Sequence, residues 1–215
     1  MAAKHFVVTA CALLLAACGG SAGPSLPGSQ GPASAQSVAS GSSDFTGMQK
    51  CPESGSYDTY LKAEQTADPT QYQTEKTTWD DLKAAGANDS YIVVYVENTS
   101  DCGQFASATP SGKVAYVYAI RFKDSSSAAA NYKTSSKDFH LSDSEVSQLK
   151  AAGATVNTGE ATSLGTNSLV LSIDIQGISL YVAYWQNKPF EVAVVTFNEP
   201  TEGPAATKKI NDRVH

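Results

Sequence analysis

"NSLVLSIDIQGISLYVAYWQNKPFEVAVVTF", residues 167–197, holds three apolar segments separated by two short polar connections. β-branched and aromatic residues dominate each segment, which is typical of strands. Gln176-Gly177 and Asn187-Lys188 are two-residue connections, the length that favours tight antiparallel hairpins. The run therefore predicts a three-stranded antiparallel meander over 167–175, 178–186 and 189–197.

Alternation along the second strand divides its residues between the two faces of the sheet. In the second strand, Leu180, Val182 and Tyr184 share one face. Tyr181, Ala183 and Trp185 share the other. Two further strands are predicted at 90–98 and 113–122, and helices at 56–67, 77–87, 125–139, 142–154 and from about Pro204. The predicted fold class is α+β, a single domain with about four to five antiparallel strands backed by helices.

The first 18 residues are typical of an export signal. Lys4 precedes an apolar run from Phe6 to Ala17, which is shorter than the roughly 20 residues that span a bilayer and fits a secretory signal. Leu15-Ala16-Ala17-Cys18 resembles the lipobox of bacterial lipoproteins. That resemblance implies a signal peptide at 1–17, cleavage before Cys18, and acyl chains such as palmitate on that cysteine. The alternative is an ordinary secretory signal in which Cys18 is incidental.

The next segment, residues 18–43, is predicted to be a disordered tether. After Cys18 it contains no charged and no aromatic residue, so it has little apolar surface to offset the entropy of ordering. The globular domain is predicted over 44–215. The expected location is the extracytoplasmic face of the cell membrane, with the lipid anchor as the contact to the membrane.

The charge balance restricts the partners. The chain has 15 Lys and Arg against 21 Asp and Glu; without Lys4 the difference is 14 − 21 = −7. No basic cluster is present, which argues against nucleic acid and against electrostatic binding to anionic lipids. An envelope component or another exported protein is the expected partner.

Two cysteines lie in the predicted domain, Cys51 and Cys102. In an exported protein an even pair predicts a disulfide. A redox pair would have the Cys-X-X-Cys spacing, and a metal site would need further ligands, whereas the domain has only His140 and His215. No metal and no cofactor are expected.

Candidates for catalysis are few. No nucleophile-elbow, zinc-binding or phosphate-binding motif is present. His140 is predicted to lie in an exposed loop, and the adjacent Asp80 and Asp81 would point to different faces of a helix. Asp174 interrupts an apolar strand and is predicted to face solvent. The chain is therefore expected not to be an enzyme.

The strand aromatics leave two interpretations open. Tyr116, Tyr118, Tyr181 and Trp185 either form a platform that binds a ligand or pack in the core and across strands. These four residues are the candidate binding site.

One short sequence occurs twice: "DDLKAAGA" at 80–87 returns as "SQLKAAGA" at 147–154. The repetition indicates either a tandem duplication or a common way to end an amphipathic helix.

Residues 155–215, with "SLGTNSLVLSI", "SLYVAYWQNKPFEVAVVTF" and a final helix, resemble the small lipoproteins and extracellular sensor-type domains of actinobacteria. The resemblance implies an antiparallel sheet backed by helices and assigns no functional residue. The expected function is a non-enzymatic binding or accessory module at the cell envelope. The alternative is an envelope enzyme or enzyme inhibitor.

Overall fold

A computed structural model describes residues 33–41, 43–67, 69–102, 112–134, 141–175 and 177–214. These residues form one α+β domain around a seven-stranded antiparallel sheet, in the order β1-β2-β3-β7-β6-β5-β4. The strands are β1 (Gln49–Lys50), β2 (Ala87–Val96), β3 (Val114–Phe122), β4 (Thr155–Thr158), β5 (Ser168–Ile175), β6 (Ile178–Asn187) and β7 (Phe190–Phe197). The helices are α1 (Ala35–Ala39), α2 (Tyr57–Ala67), α3 (Pro69–Ala84), α4 (Ser125–Thr134), α5 (Asp143–Ala151) and α6 (Glu202–Asp212).

The meander is confirmed. Strand β5 pairs antiparallel with β6, and β6 pairs antiparallel with β7. Strand β3 is an interior strand of the sheet because it pairs with both β2 and β7. The prediction of four to five strands was too low, since β1 has two residues and β4 has four. Elements this short do not show a recognisable alternation.

The sheet carries helices on both sides. We call the side that bears Tyr118 and Glu191 the front face; helices α2, α3, α4 and α5 cover it. The side that bears Val117 and Trp185 is the back face, which α1 and α6 cover. The predicted alternation in β6 is confirmed, and β3 shows the same pattern, because odd and even positions belong to different apolar clusters.

The predicted domain boundary at 44 is wrong. Helix α1 lies within the segment predicted to be a disordered tether, and its Ala35, Val38 and Ala39 are fully buried. Composition did not show this because small side chains bury little area each. Here, however, they fit against a back face whose β3 residues include Ala115 and Ala119. The described part of the domain begins at Ala33; Cys18 and the predicted signal peptide lie outside the described residues.

Arg213 fixes this N-terminal segment to the last helix. Its guanidinium donates to both carboxylate oxygens of Asp44, each at 2.7 Å, and to the carbonyl oxygen of Val38 at 2.7 and 3.0 Å. Ser34 caps α1 and Lys209 donates to the carbonyl of Ser43. The C-terminal residues Lys209 and Arg213 therefore hold the segment from α1 to Asp44 in place.

The second predicted helix starts earlier than 77. Helix α3 begins at Pro69, a residue suited to the first helical turn, and the polar run that follows has too weak an apolar period to indicate a helix. It ends before Gly86, whose φ of 107° is a conformation that glycine adopts without strain. The second copy of the repeated sequence also ends a helix, α5, with Gly153 at φ 92°.

The predicted disulfide is present. The sulfurs of Cys51 and Cys102 lie 2.07 Å apart and the Cα atoms 5.6 Å apart. The bond joins the segment after β1 to the short 3-10 turn Thr99–Asp101 that follows β2. It thereby links covalently the two segments that follow the edge strand β1 and its neighbour β2.

Candidate functional site

The four predicted platform residues are not brought together. Tyr116 and Tyr118 lie on the front face, whereas Tyr181 and Trp185 lie on the back face. The indole nitrogen of Trp185, a residue with no exposed surface, donates to Asn211 at 2.9 Å, and the Tyr181 hydroxyl donates to Thr207 at 3.0 Å. Tyr116, Tyr181 and Trp185 are buried, which agrees with the packing interpretation.

Tyr118 differs from the other three because it is only partly buried. Strand β3 is paired on both sides, so this exposure comes from the side chain and not from the backbone. Its neighbours Ile92, Tyr116 and Ala193 are buried. Solvent therefore reaches the front face at Tyr118, whereas Ala193 beside it is buried and packs with Tyr132 and Tyr184.

An aromatic stack with a carboxyl group lies on one side of Tyr118. Tyr57 of α2 stacks on Trp79 of α3, with ring centres 4.9 Å apart, and its ring centre lies 6.0 Å from that of Tyr118. The Tyr57 hydroxyl donates to Glu75 at 2.6 Å, and Glu75 is buried. Burial, followed by the charges of Tyr118 and Glu75, raises the pKa of Tyr57 well above its usual range. The backbone amide of Tyr57 donates to Ser90 on β2, which fixes the start of α2.

A matching arrangement lies on the other side. Tyr132 of α4 stacks on Tyr184 of β6 at 5.1 Å, and the Tyr184 hydroxyl donates to Glu191 at 2.5 Å. The side-chain amide of Asn131 donates to both oxygens of Glu191, at 3.0 and 3.1 Å. We call the partly exposed surface at Tyr118, flanked by the Tyr57–Glu75 and Tyr184–Glu191 pairs, the Tyr118 cleft.

Among the described residues, Glu191 has no oppositely charged partner. It is 2% exposed, and no ion pair with it occurs among the described residues. Burial raises the pKa of Glu191 to about 7, although hydrogen bonds from Tyr184, Asn131 and the Tyr132 backbone oppose the shift. This carboxyl group therefore titrates near neutral pH.

Tyr118 is affected by both acids. Burial, then the negative charges of Glu75 and Glu191, raise the pKa of Tyr118 well above its ordinary value. Within the part of the chain that the structure describes, its hydroxyl has no hydrogen-bond partner. The Tyr118 cleft thus combines aromatic walls, negative charge and one free hydroxyl group.

The residues considered for catalysis are not brought together. Asp174 is exposed, as predicted, and Asp80 pairs with Lys76 and Lys83 on the exposed side of α3. His140 lies outside the described residues. The one group of three potential metal ligands found in the described ranges contains Cys51 and Cys102, whose sulfurs are bonded to each other. It is not a metal site.

A second, open groove of about 460 Å³ lies between α2 and α3. Trp79 and Leu61 contribute apolar surface to it, and Asp58 and Asp80 contribute charge. Both carboxylates are already engaged, since Asp58 accepts from the Trp79 indole and Asp80 pairs with lysines. Lys62 and Gln65 also line this groove. We prefer the Tyr118 cleft because two buried carboxyl groups flank it.

Comparison with family models, curated proteins and solved structures finds no match. In the described ranges, no helix has the length and apolar character that a membrane crossing requires.

Sequence reasoning missed most of the site. Of the candidate residues only Tyr118 belongs to the cleft; Tyr57, Glu75, Tyr184 and Glu191 were not singled out. One signal was available, because Glu191 alternates with Ala193, Val195 and Phe197 on one face of β7, and all are buried. An acid at such a position indicates a buried polar centre.

Proposed function

We propose that this protein is a non-enzymatic binding module of the bacterial cell envelope, anchored through a lipidated Cys18, and that the Tyr118 cleft is its ligand site. The lipobox-like Leu15-Ala16-Ala17-Cys18 supports the anchor. The Cys51–Cys102 disulfide supports a location outside the reducing cytosol. The described fold begins at Ala33 and so includes residues that the sequence assigned to the tether.

One observation carries the ligand site. Tyr118 is a partly exposed tyrosine in the middle of a seven-stranded sheet, with a free hydroxyl between two buried carboxyl groups. An apolar concavity with a few convergent polar groups and shifted pKa values is the usual character of a binding site. A surface tyrosine with only a packing role does not need buried acids beside it.

The alternative is an envelope enzyme or enzyme inhibitor. Its support is the pKa of Glu191, which burial raises to about 7, a value suited to a general acid or base. However, both oxygens of Glu191 already accept hydrogen bonds from Asn131 and Tyr184. A carboxyl group with both oxygens engaged inside the fold is poorly placed to exchange a proton with a substrate. This favours binding over catalysis.

Ligand binding is tested on the mature chain, residues 18–215, carrying Cys18→Ser so that it stays in solution. A library of glycans, peptidoglycan fragments, amines and metabolites is screened by thermal shift. A ligand at 100 times its Kd adds about 2.7 kcal/mol, which raises Tm by roughly 5–10 °C in a domain of this size. A Tyr118→Ala variant should lose the response. The matched back-face variant, Tyr181→Phe, should keep it, and a response that persists without Tyr118 would place the site elsewhere.

The anchor is tested separately. In a bacterial host, the wild-type chain should incorporate labelled palmitate and sediment with membranes. Cys18→Ser should abolish both, and Cys11→Ser should change neither, because Cys11 lies within the predicted signal. Membrane association that survives Cys18→Ser would contradict the lipid anchor while leaving ligand binding open.

A further inference from the structure

We propose that the open groove between α2 and α3 is a second binding site, which takes a small organic acid: a carboxylate group on an apolar body. This site is separate from the Tyr118 cleft, and its test does not depend on the ligand site proposed above.

Space for a ligand is present in this groove. Its volume of about 460 Å³ falls within the roughly 300–1,000 Å³ that is usual for small-molecule sites. One stripe of each helix lines it, at positions 58, 61, 62 and 65 of α2 and positions 72, 76, 79, 80 and 83 of α3. Because residues three and four apart are neighbours on a helix surface, each helix directs one face to the groove.

The floor of the groove is apolar. Leu61 and Trp79 are buried, and Tyr72 is half-buried. Lysine side chains at the rim add methylene stems, which cover apolar surface while their ammonium groups stay in water. The apolar body of the ligand would therefore lie on Tyr72 and on the lysine stems.

The charge of the groove is the second argument. Five charged side chains line it, three of them lysines: Lys62, Lys76, Lys83, Asp58 and Asp80. This is an excess of one positive charge, in a chain whose net charge is −6. At physiological salt, exposed charges act over only about 8 Å, so a small anion responds to these side chains and not to the acidic balance of the whole chain.

Lys62 is the ammonium group that is free to bind the acid. Within the described ranges it forms no hydrogen bond and no ion pair. Asp58, one helical turn before it, accepts instead from the Trp79 indole at 2.9 Å, and Asp80 is shared by the two other lysines. A carboxylate ligand therefore supplies Lys62 with the partner that the two helices do not.

Other ligand classes fit this groove less well. A cation would meet three ammonium groups, and both carboxylates are already engaged. A neutral sugar has no charge for Lys62, and the indole ring on which it would stack is covered: Tyr57 stacks on Trp79 at 4.9 Å, and the Lys83 ammonium lies 5.7 Å from the same ring centre. In the described part of the chain, no group of three metal ligands lies in this groove.

The test uses 3-phenylpropanoate, its neutral amide 3-phenylpropanamide, and acetate, each titrated into the millimolar range with the Cys18→Ser mature chain. The chain has two tryptophans, whose indole N–H signals are resolved by NMR. Trp79 reports on the groove, and Trp185, buried on the back face, is the internal reference. We expect 3-phenylpropanoate to shift the Trp79 signal in a saturable way and to leave the Trp185 signal in place. The amide, which lacks the charge, and acetate, which lacks the apolar body, should each bind at least about threefold more weakly.

Two lysine variants give a matched comparison. Lys62→Gln should weaken the binding of 3-phenylpropanoate about threefold, the size expected for an exposed ion pair. Lys208→Gln removes the same charge from the exposed side of α6 and should leave the affinity unchanged. Both lysines are exposed, so neither substitution disturbs the core, and an unmoved Trp185 signal verifies that each variant is folded.

Three outcomes overturn the proposal. If the amide binds as tightly as the acid, the groove does not select a negative charge. If Lys62→Gln has no larger effect than Lys208→Gln, Lys62 does not hold the carboxylate. If 3-phenylpropanoate leaves the Trp79 signal unshifted, or shifts it without saturation, the groove is not a site for such acids, and this result leaves the Tyr118 cleft unaffected.

Discussion

Asp44 and Glu191 are both 2% exposed, yet the two faces of the sheet treat these buried acids differently. Arg213 meets Asp44 on the back face with two hydrogen bonds of 2.7 Å. Glu191 on the front face meets an amide and a phenol. A buried carboxylate paired with a guanidinium has its charge matched and holds chain segments together. One with neutral donors titrates near neutral pH and leaves its charge unmatched.

The remaining buried polar groups follow the same division. On the back face, the Trp185 indole, the Tyr181 hydroxyl and the Thr196 hydroxyl each have a partner. Gly203 allows α6 to approach closely, since a Cβ there would lie 2.5 Å from the Tyr181 ring. The back face is thus closely packed around Trp185 and Tyr181, although Arg121 on the same side has a buried Nε without a partner in the described residues. The front face contains a partly exposed tyrosine at its centre. The proposed ligand site uses this difference.

The largest effect is expected from Trp185→Ala. The indole has no exposed surface, and removing such a side chain typically costs about 3–5 kcal/mol. Denaturant unfolding should show the free energy of unfolding lowered by that amount. Tyr118→Ala is the front-face comparison and should cost less, because Tyr118 is already partly hydrated. Equal losses of stability in the two variants would contradict the difference between the closely packed back face and the partly exposed front face.

Arg213→Ala should have the next largest effect, about 2–3 kcal/mol. The substitution leaves the carboxylate of Asp44 buried without its counter-ion. The expected loss is below that of a fully buried pair because the Arg213 side chain is 26% exposed. Lys208→Ala is the control, since its pair with Asp212 is exposed on both sides and should contribute less than 1 kcal/mol. Proteolysis should also cut the Arg213→Ala variant first near α1. An unchanged midpoint would mean that α1 is held by its apolar contacts alone.

Glu191→Gln should make the protein more stable at alkaline pH. Because the folded-state pKa of Glu191, raised by burial to about 7, exceeds the usual 4.5, the folded chain binds this proton more tightly than the unfolded chain. Its contribution is therefore intact below about pH 4.5 and is lost as pH rises to about 7, a total of about 3 kcal/mol. Glutamine mimics the protonated group and should remove that loss. Unfolding at pH 5 and pH 8 measures it, and an unchanged pH profile would show that Glu191 is ionised throughout.

The difference between the faces also explains what could be predicted from sequence. Strands β5 to β7 are local: their alternation and turns are readable, and their partners are neighbours in the chain. The cleft is not local. Asn131 and Glu191 are 60 residues apart, and Glu75 lies in a polar stretch of α3 where nothing in the apolar pattern marks it as buried. Small residues caused the opposite error. Ala35 and Ala39 lie in a segment whose composition resembles a linker, yet they belong to a buried helix.

The smallest effect on stability, and the sharpest comparison, comes from one substitution made on each face. Tyr181→Phe removes a buried hydroxyl that donates to Thr207, and should cost about 1 kcal/mol, a typical net value for such a hydrogen bond. Tyr118→Phe removes a hydroxyl that has no partner among the described residues, so it should change the free energy of unfolding by less than about 0.5 kcal/mol. A loss of 1 kcal/mol or more in Tyr118→Phe would show that this hydroxyl is engaged within the fold. The cleft would then have no free polar group to offer a ligand, and the front face would be as closed as the back.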